Sequence, residues 1–375
     1  MIDAREFLRL LKSEGIDFFS GVPDSLLKDF CACLLDNAEG LSNIVAPNEG
    51  CAVAIAAGHF LATSKPACVY MQNSGQGNAV NPLLSLVDEE VYNIPLLMLV
   101  GWRGQPDKKD EPQHAKQGKL TLKIFDTLGI KYEVLDADME LAEAQVKRAA
   151  EYMRETSKPF ALVVEKSTFK KCEAKISRPE CSQILRRDAI AKVAGLLSKS
   201  DVCIATTGHI SRELYEFRKF NSLPHDSDFL TVGSMGHASS IALAIALAKP
   251  KRRVVCFDGD GALLMHAGAL ATIASCKPKN FKHVVFNNLS HDSVGGQPTC
   301  ANAIDVTKLA LAMGYDSAFS VSDESKLDSE IKKFLEANSP SLLEIKVKRG
   351  AREGLMRPLE TPIENKKIFM DFLRG

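Results

Sequence analysis

The stretch "VVCFDGDGALLM", residues 254–265, decides how this chain is read. An apolar, β-rich run stops at Asp258-Gly259-Asp260-Gly261 and resumes as an Ala/Leu/Met segment of helical type. A strand that ends in a glycine turn and feeds a helix is the repeating unit of a parallel α/β sheet. Ligands of such sheets bind beyond the carboxyl ends of the strands, where glycine lets the backbone come close. The two carboxylates and two glycines at this edge are therefore either an ordinary turn or a site that holds a metal, a phosphate, or both.

The same grammar extends in both directions. "PACVYMQ" (66–72), "PLLMLVGW" (95–102), "DVCIATTG" (201–208), "FKHVVFNN" (281–288) and "SLLEIKV" (341–347) read as strands separated by helical patterns. The segments starting at "VAPNEGCAVAIAAG" (45–58) and "TVGSMGHASSIALAIALA" (231–248) each run turn, small-residue helix, strand, glycine turn, helix. The expected fold class is α/β, with two similarly built domains, each a mainly parallel sheet flanked by helices. The expected boundaries are 1–170 and 184–375, joined by a polar, proline-containing linker at 171–183. The charged stretch "RGQPDKKDEPQHAKQGK" (103–119) reads as a long loop, and long loops in compact domains tend to be functional.

Composition narrows the partners. The 375 residues carry a formal net charge of zero, so a nucleic-acid or other polyanion-binding surface is not indicated. "MIDAREFLRLLKSEG" (1–15) is an amphipathic helix rather than a signal peptide, and the apolar run 238–248 is too short to span a bilayer. A cytoplasmic protein without membrane contact is expected. The ten cysteines are scattered without a CxxC pair, which speaks against a zinc ribbon and fits buried thiols in a reducing compartment. No glycine junction carries the GxGxxG-plus-acid fingerprint of nicotinamide binding, and no P-loop occurs.

About 25 residues beyond Gly261 the strand "FKHVVF" ends in Asn287-Asn288. Neighbouring parallel strands would bring Asp260 and the Asn pair to one edge. A carboxylate, an amide carbonyl and a main-chain carbonyl are hard oxygen ligands, and Mg²⁺ combines few such ligands with phosphate oxygens and water.

GDG, this spacer and NN together resemble the signature of the thiamine-diphosphate enzymes. The resemblance implies Mg²⁺ bound through the side chains of Asp260 and Asn288 and the carbonyl of Ser290, beneath a diphosphate lined by Gly259, Gly261 and Ala262. Asp258 lies outside the motif and is expected to be a turn or helix-cap acid. Glu49, in "APNEGCAVAIAAG" (46–58), matches the acid that shares a proton with the cofactor's pyrimidine ring. "GSMG" (233–236) resembles the turn that bends the cofactor, with Met235 as the apolar wedge, Gly233 as a carbonyl partner and Ser234 alongside. Thr207 and Gly208, in "TTGHISREL" (206–214), match the segment whose main-chain N–H groups approach the diphosphate. In this family the cofactor lies between domains of different subunits, so a homodimer is the minimum implied assembly.

"GVPDSLL" (21–27) and "PQHAKQG" (112–118) resemble segments of the pyruvate-type decarboxylases that carry an Asp and a His for proton transfer, here Asp24 and His114. The carbon that loses CO₂ must gain a proton, and imidazole titrates near neutrality. The chain has no room for the middle domain of the larger pyruvate decarboxylases, and Val294 stands where they carry a Glu. "GVPDSLL", "WRG", "DEPQHAKQGK", "LSHDSVGGQPT" and "RGAREGLMRP" instead resemble the phosphonopyruvate and sulfopyruvate decarboxylases. The resemblance implies conversion of 3-phosphonopyruvate to phosphonoacetaldehyde and CO₂, within phosphonate biosynthesis. Sulfopyruvate is the alternative substrate, and a catalytically inactive cofactor-binding regulatory subunit is the alternative of a different class. An anionic tail needs cations and donors, for which Ser25, Arg103, Lys116, Gln117, His291 and Gln297 are the candidates.

Overall fold

The computed structural model describes residues 1–36, 40–175 and 180–375. The chain divides into two compact units, Met1–Ser177 and Arg178–Gly375. Residues 176–179 of the expected linker lie outside the described residues.

In the first unit the strands are β1 (Phe18–Gly21), β2 (Ser42–Val45), β3 (Ala67–Gln72), β4 (Leu96–Gly101), β5 (Lys131–Val134) and β6 (Phe160–Val164). They form one parallel sheet in the order β2-β1-β3-β4-β6-β5. In the second unit β7 (Val202–Ala205), β8 (Asp228–Leu230), β9 (Val254–Gly259) and β10 (Phe281–Asn287) come first. A short antiparallel hairpin follows, β11 (Ser290–His291) with β12 (Gln297–Pro298), then β13 (Ser317–Val321) and β14 (Ser341–Lys346). The six long strands again make a parallel sheet, ordered β13-β14-β10-β9-β7-β8. The α/β class and the two similarly built sheets are as the sequence implied.

Each sheet is buried on both faces, which is why its strands read as continuous apolar runs. Side-chain alternation sorts them. Cys68, Tyr70, Leu97, Leu99, Leu162 and Val164 join the core on one side of the first sheet. Val69, Met71, Met98, Val100, Ala161 and Val163 join the core on the other. In the second sheet Val255, Phe257, Val284 and Phe286 face one core, and Val254, Cys256, Phe281 and Val285 the opposite one.

This alternation corrects the reading of Asp258. It is neither a turn nor a cap residue but part of β9, fully buried on the Val254/Cys256 side. A carboxyl group pointed into a core needs a partner. His283, from β10, supplies it with Nε2 3.4 Å from Asp258 Oδ2, and the other ring nitrogen lies 3.2 Å from the Tyr315 hydroxyl.

Two further expectations change. The stretch 103–119 is a loop only as far as residue 111, because Pro112 opens a helix, Pro112–Thr127. Proline is well placed at a first helical position, where its missing N–H costs nothing. His114, Lys116 and Gln117 therefore sit on a helix rather than in a loop. The cysteines are not all thiols: Cys33 and Cys172 form a disulfide across 139 residues of chain. Among the described residues no helix is long and apolar enough to cross a membrane.

Candidate active site

In the second unit the register Gly259↔Phe286 between β9 and β10 brings Asp260 and the Asn pair out at the same carboxyl edge. Asp260 opens the helix Asp260–Met265 and is 3% exposed. The Thr299 hydroxyl donates to its Oδ2, and no cationic side chain pairs with it among the described residues. Burial lifts its carboxyl to about 7.

The two asparagines, the last residue of β10 and the one after it, go separate ways. Asn287 donates to Glu344 Oε1 at 2.7 Å, a carboxylate that also takes the Ser320 hydroxyl. Asn288 donates from Nδ2 to Asp292 Oδ2 at 2.6 Å and accepts the Ser290 N–H on Oδ1 at 3.0 Å. Asp292 Oδ2 also takes Arg186 Nη1 at 3.1 Å and the Gly350 N–H at 2.9 Å. Arg186 is held in turn by a two-point pair with Glu213 at 2.8 and 3.1 Å. This charged network fixes which way the Asn288 amide faces.

The turn 233–236 folds onto the same helix. A Cβ at Gly236 would lie 3.0 Å from the Ala262 carbonyl, and one at Gly261 would lie 3.3 Å from Met235 Cε and 2.8 Å from the His291 ring. Met235, Gly261 and His291 are thus brought together, while Ser234 stays exposed at the tip of the turn and Gly233 is half-buried. Thr207 and Gly208 lead into the helix His209–Phe220. Burial and the Arg186 charge depress the His209 imidazole to about 4.

Among the described residues, the buried His209 Nδ1, Ser290 Oγ and Gln297 Oε1 have no hydrogen-bond partner. With the N-terminus of the helix His209–Phe220, and with Asp260 and Asn288 offering carboxylate and amide oxygens, these residues suit a diphosphate and a divalent cation.

The first unit holds a separate group of residues. Glu49 opens the helix Glu49–Thr63, is 5% exposed, and is pushed above the usual carboxylate range by burial. Asn78 donates to its Oε2 at 2.7 Å.

Asp24 is fully buried after β1. Its Oδ2 takes the Leu26 N–H at 2.9 Å, and a Cβ at Gly101 would lie only 2.1 Å from that oxygen. Burial raises its carboxyl to about 6, against the opposing Leu26 N–H and Arg103 charge. Arg103 donates from Nη1 to Ser25 Oγ at 2.7 Å, while Nε and Nη2 grip Asp110 as a fork, the Nε contact at 2.8 Å. His114 is buried in the first turn of its helix, its Nδ1 without a hydrogen-bond partner among the described residues. Burial and the Arg103 charge depress it to about 4. Burial thus moves the two groups in opposite directions, the Asp24 carboxyl up and the His114 imidazole down.

Of the tail candidates, Ser25 and Arg103 are in contact beside Asp24, and His291 and Gln297 are paired across the β11–β12 hairpin. Lys116 is exposed on its helix, and the main-chain carbonyl of Gln117 accepts the Thr121 hydroxyl.

The sequence reading missed Asn78, Asp110, Arg186, Asp292 and Thr299. Asp110 left a trace inside the quoted "DEPQHAKQGK", and Asp292 and Thr299 inside "LSHDSVGGQPT", but none was given a role.

Residues 4–125 match the model of the thiamine pyrophosphate enzyme N-terminal TPP-binding domain, and residues 206–345 match that of the C-terminal TPP-binding domain. The whole chain is 32% identical to the phosphonopyruvate decarboxylase of Streptomyces viridochromogenes, covering 95% of it. The phosphonopyruvate decarboxylase of Streptomyces hygroscopicus matches 99% of the chain at 32% identity, with 94% of its own length covered. A sulfopyruvate decarboxylase of Methanosarcina acetivorans is 28% identical over 98% of this chain and 96% of its own. The chain belongs to the thiamine pyrophosphate enzymes, in the family of their decarboxylases.

Proposed function

We propose that this protein decarboxylates 3-phosphonopyruvate to phosphonoacetaldehyde and CO₂, using thiamine diphosphate and Mg²⁺. The observation that carries the substrate is the full-length 32% identity to two phosphonopyruvate decarboxylases, against 28% to the sulfopyruvate enzyme. The Arg103–Ser25 pair beside Asp24 supports it, since a guanidinium and a hydroxyl suit a phosphonate oxygen better than the methyl group of pyruvate.

When bound, the cofactor accepts the electron pair released as CO₂ leaves. The chain's own residues do the rest. Asp260, Asn288 and the Ser290 carbonyl would hold Mg²⁺. Thr207, Gly208, Gly259, Gly261 and Ala262 bring the backbone to the diphosphate. Met235 would be the apolar wedge beneath the cofactor, with Gly233 offering a carbonyl and Ser234 alongside. Glu49 holds a proton at its carboxyl for the pyrimidine ring nitrogen. Asp24, whose carboxyl burial raises to about 6, would supply the proton that replaces CO₂ on carbon, with His114 as its partner in proton transfer. His291 and Gln297 offer further donors to the tail. The family resemblance makes a homodimer part of this reading, and phosphonate biosynthesis its setting.

Sulfopyruvate is the second reading, because the sulfonate tail makes the same demands on Arg103. ³¹P NMR of the protein incubated with 3-phosphonopyruvate, thiamine diphosphate and Mg²⁺ tests the first. A phosphonoacetaldehyde signal that needs both cofactors supports it. Unchanged phosphonopyruvate beside rapid CO₂ release from sulfopyruvate replaces it with the second.

A further inference from the structure

Glu49 sits in an unusual position for a buried acid. Buried carboxylates are ordinarily paired with Arg or Lys. The influences acting on Glu49 are its burial, its own backbone N–H and the neutral amide of Asn78, with no cation among them. The two oxygens are treated differently. Oε2 accepts the Asn78 Nδ2 hydrogen bond at 2.7 Å. Oε1 lies over Gly75, where a Cβ would be 2.3 Å away. Asn78 comes from the helix Gln76–Pro82, whose Asn78 carbonyl lies 3.0 Å from where a Cβ of Gly50 would be, so the two segments are held at backbone contact.

We propose that Asn78 is a positioning residue for Glu49: its amide fixes Oε2, leaves Oε1 as the proton-carrying oxygen, and supports the carboxylate that remains once the proton passes to the cofactor's ring nitrogen. This rests on the reading of Glu49 as the acid that serves that nitrogen. The proton leaves the Glu49 carboxyl for the ring, the amide keeps its own hydrogen, and the new negative charge is met by the Asn78 N–H. A cation in place of Asn78 would hold Glu49 permanently ionised, with no proton to give. An apolar residue would leave the proton on Glu49, because the buried carboxylate would have no side-chain donor. A neutral donor is the choice that lets both forms exist. Asn78 is itself exposed, so its truncation opens no cavity in the core.

The test compares wild type with Asn78→Ala, Asn78→Gln and Glu49→Gln, first without cofactor. Infrared spectra across pH identify the Glu49 carboxyl as the band that Glu49→Gln removes. In Asn78→Ala the midpoint of that band moves up by about one pH unit or more, the equivalent of losing a hydrogen bond to a charged group. Asn78→Gln, which keeps the amide donor, recovers part of the shift. In the loaded protein, exchange of the thiazolium C2 hydrogen for deuterium slows about tenfold or more in Asn78→Ala, with cofactor affinity unchanged. An Asn78→Ala protein whose band midpoint and exchange rate both equal wild type overturns the proposal and leaves the role of Glu49 standing. If Glu49→Gln exchanges C2 hydrogen as fast as wild type, the reading of Glu49 fails first, and the proposal with it.

Discussion

Asp24 and Gly101 are in contact so close that a single methyl group on Gly101 would fall 2.1 Å from the Asp24 carboxyl oxygen. The end of β4 is therefore shaped around an acid that follows β1. Gly101→Ala must push the Asp24 side chain out of its place. General acid–base groups contribute about 10²–10⁴ in rate, so kcat is expected to fall at least about 100-fold. Mg²⁺-dependent cofactor binding, measured by calorimetry, is expected to persist. Full activity in Gly101→Ala would remove Asp24 from the chemistry.

Asp24 also gives a pH signature in stability. Its carboxyl is raised from 3.8 to about 6, so the folded chain holds this proton more tightly than the unfolded one. The resulting contribution is fully present below pH 3.8 and is lost as pH rises through 6. At pH 8 the buried carboxylate costs about 2–3 kcal/mol. Asn at this position can accept the Leu26 N–H without that cost. Asp24→Asn is thus expected to unfold at higher urea than wild type at pH 8, with the gap closing toward pH 4, while losing activity. Equal urea midpoints at both pH values would contradict the burial argument.

The two acids of the GDG junction should separate cleanly. Asp260→Ala removes a side chain that has no structural cation and is expected to abolish Mg²⁺-dependent cofactor binding. Asp258→Ala leaves the His283 ring in the core without its carboxylate partner, at a cost of about 1–3 kcal/mol in stability. Cofactor binding by the folded Asp258→Ala protein should match wild type. Titrating both variants with thiamine diphosphate at fixed Mg²⁺ decides it, and equal affinities would mean the wrong carboxylate has been assigned to the metal.

The sheets and the edges where chemistry collects were legible because strand periodicity and glycine turns are local patterns. Glu49, Asp260 and Asn288 stand out in the sequence because each sits inside a short motif beside such a turn. What was hidden depended on contacts distant in sequence. Asn78 reaches Glu49 across 29 residues, Thr299 reaches Asp260 across 39, and Arg186 reaches Asp292 across 106. Cys33 and Cys172 are 139 residues apart, so their spacing carried no signal of pairing. Asp258 was misjudged because the acid was read with the glycines that follow it, not with the strand alternation that buries it. His114 was placed in a loop because the charged residues before Pro112 outweighed the helix-starting value of proline.

The central claim is that this is a keto-acid decarboxylase selected for an anionic tail by Arg103. The most direct test is kcat/KM for 3-phosphonopyruvate, sulfopyruvate and pyruvate, with both cofactors present, in wild type and Arg103→Ala. Wild type is expected to favour phosphonopyruvate. Arg103→Ala is expected to lose about 10–100-fold on the tailed substrate, the value of a charge-assisted hydrogen bond, while pyruvate changes little. A wild-type preference for pyruvate, or an equal loss on all three substrates, would contradict the account.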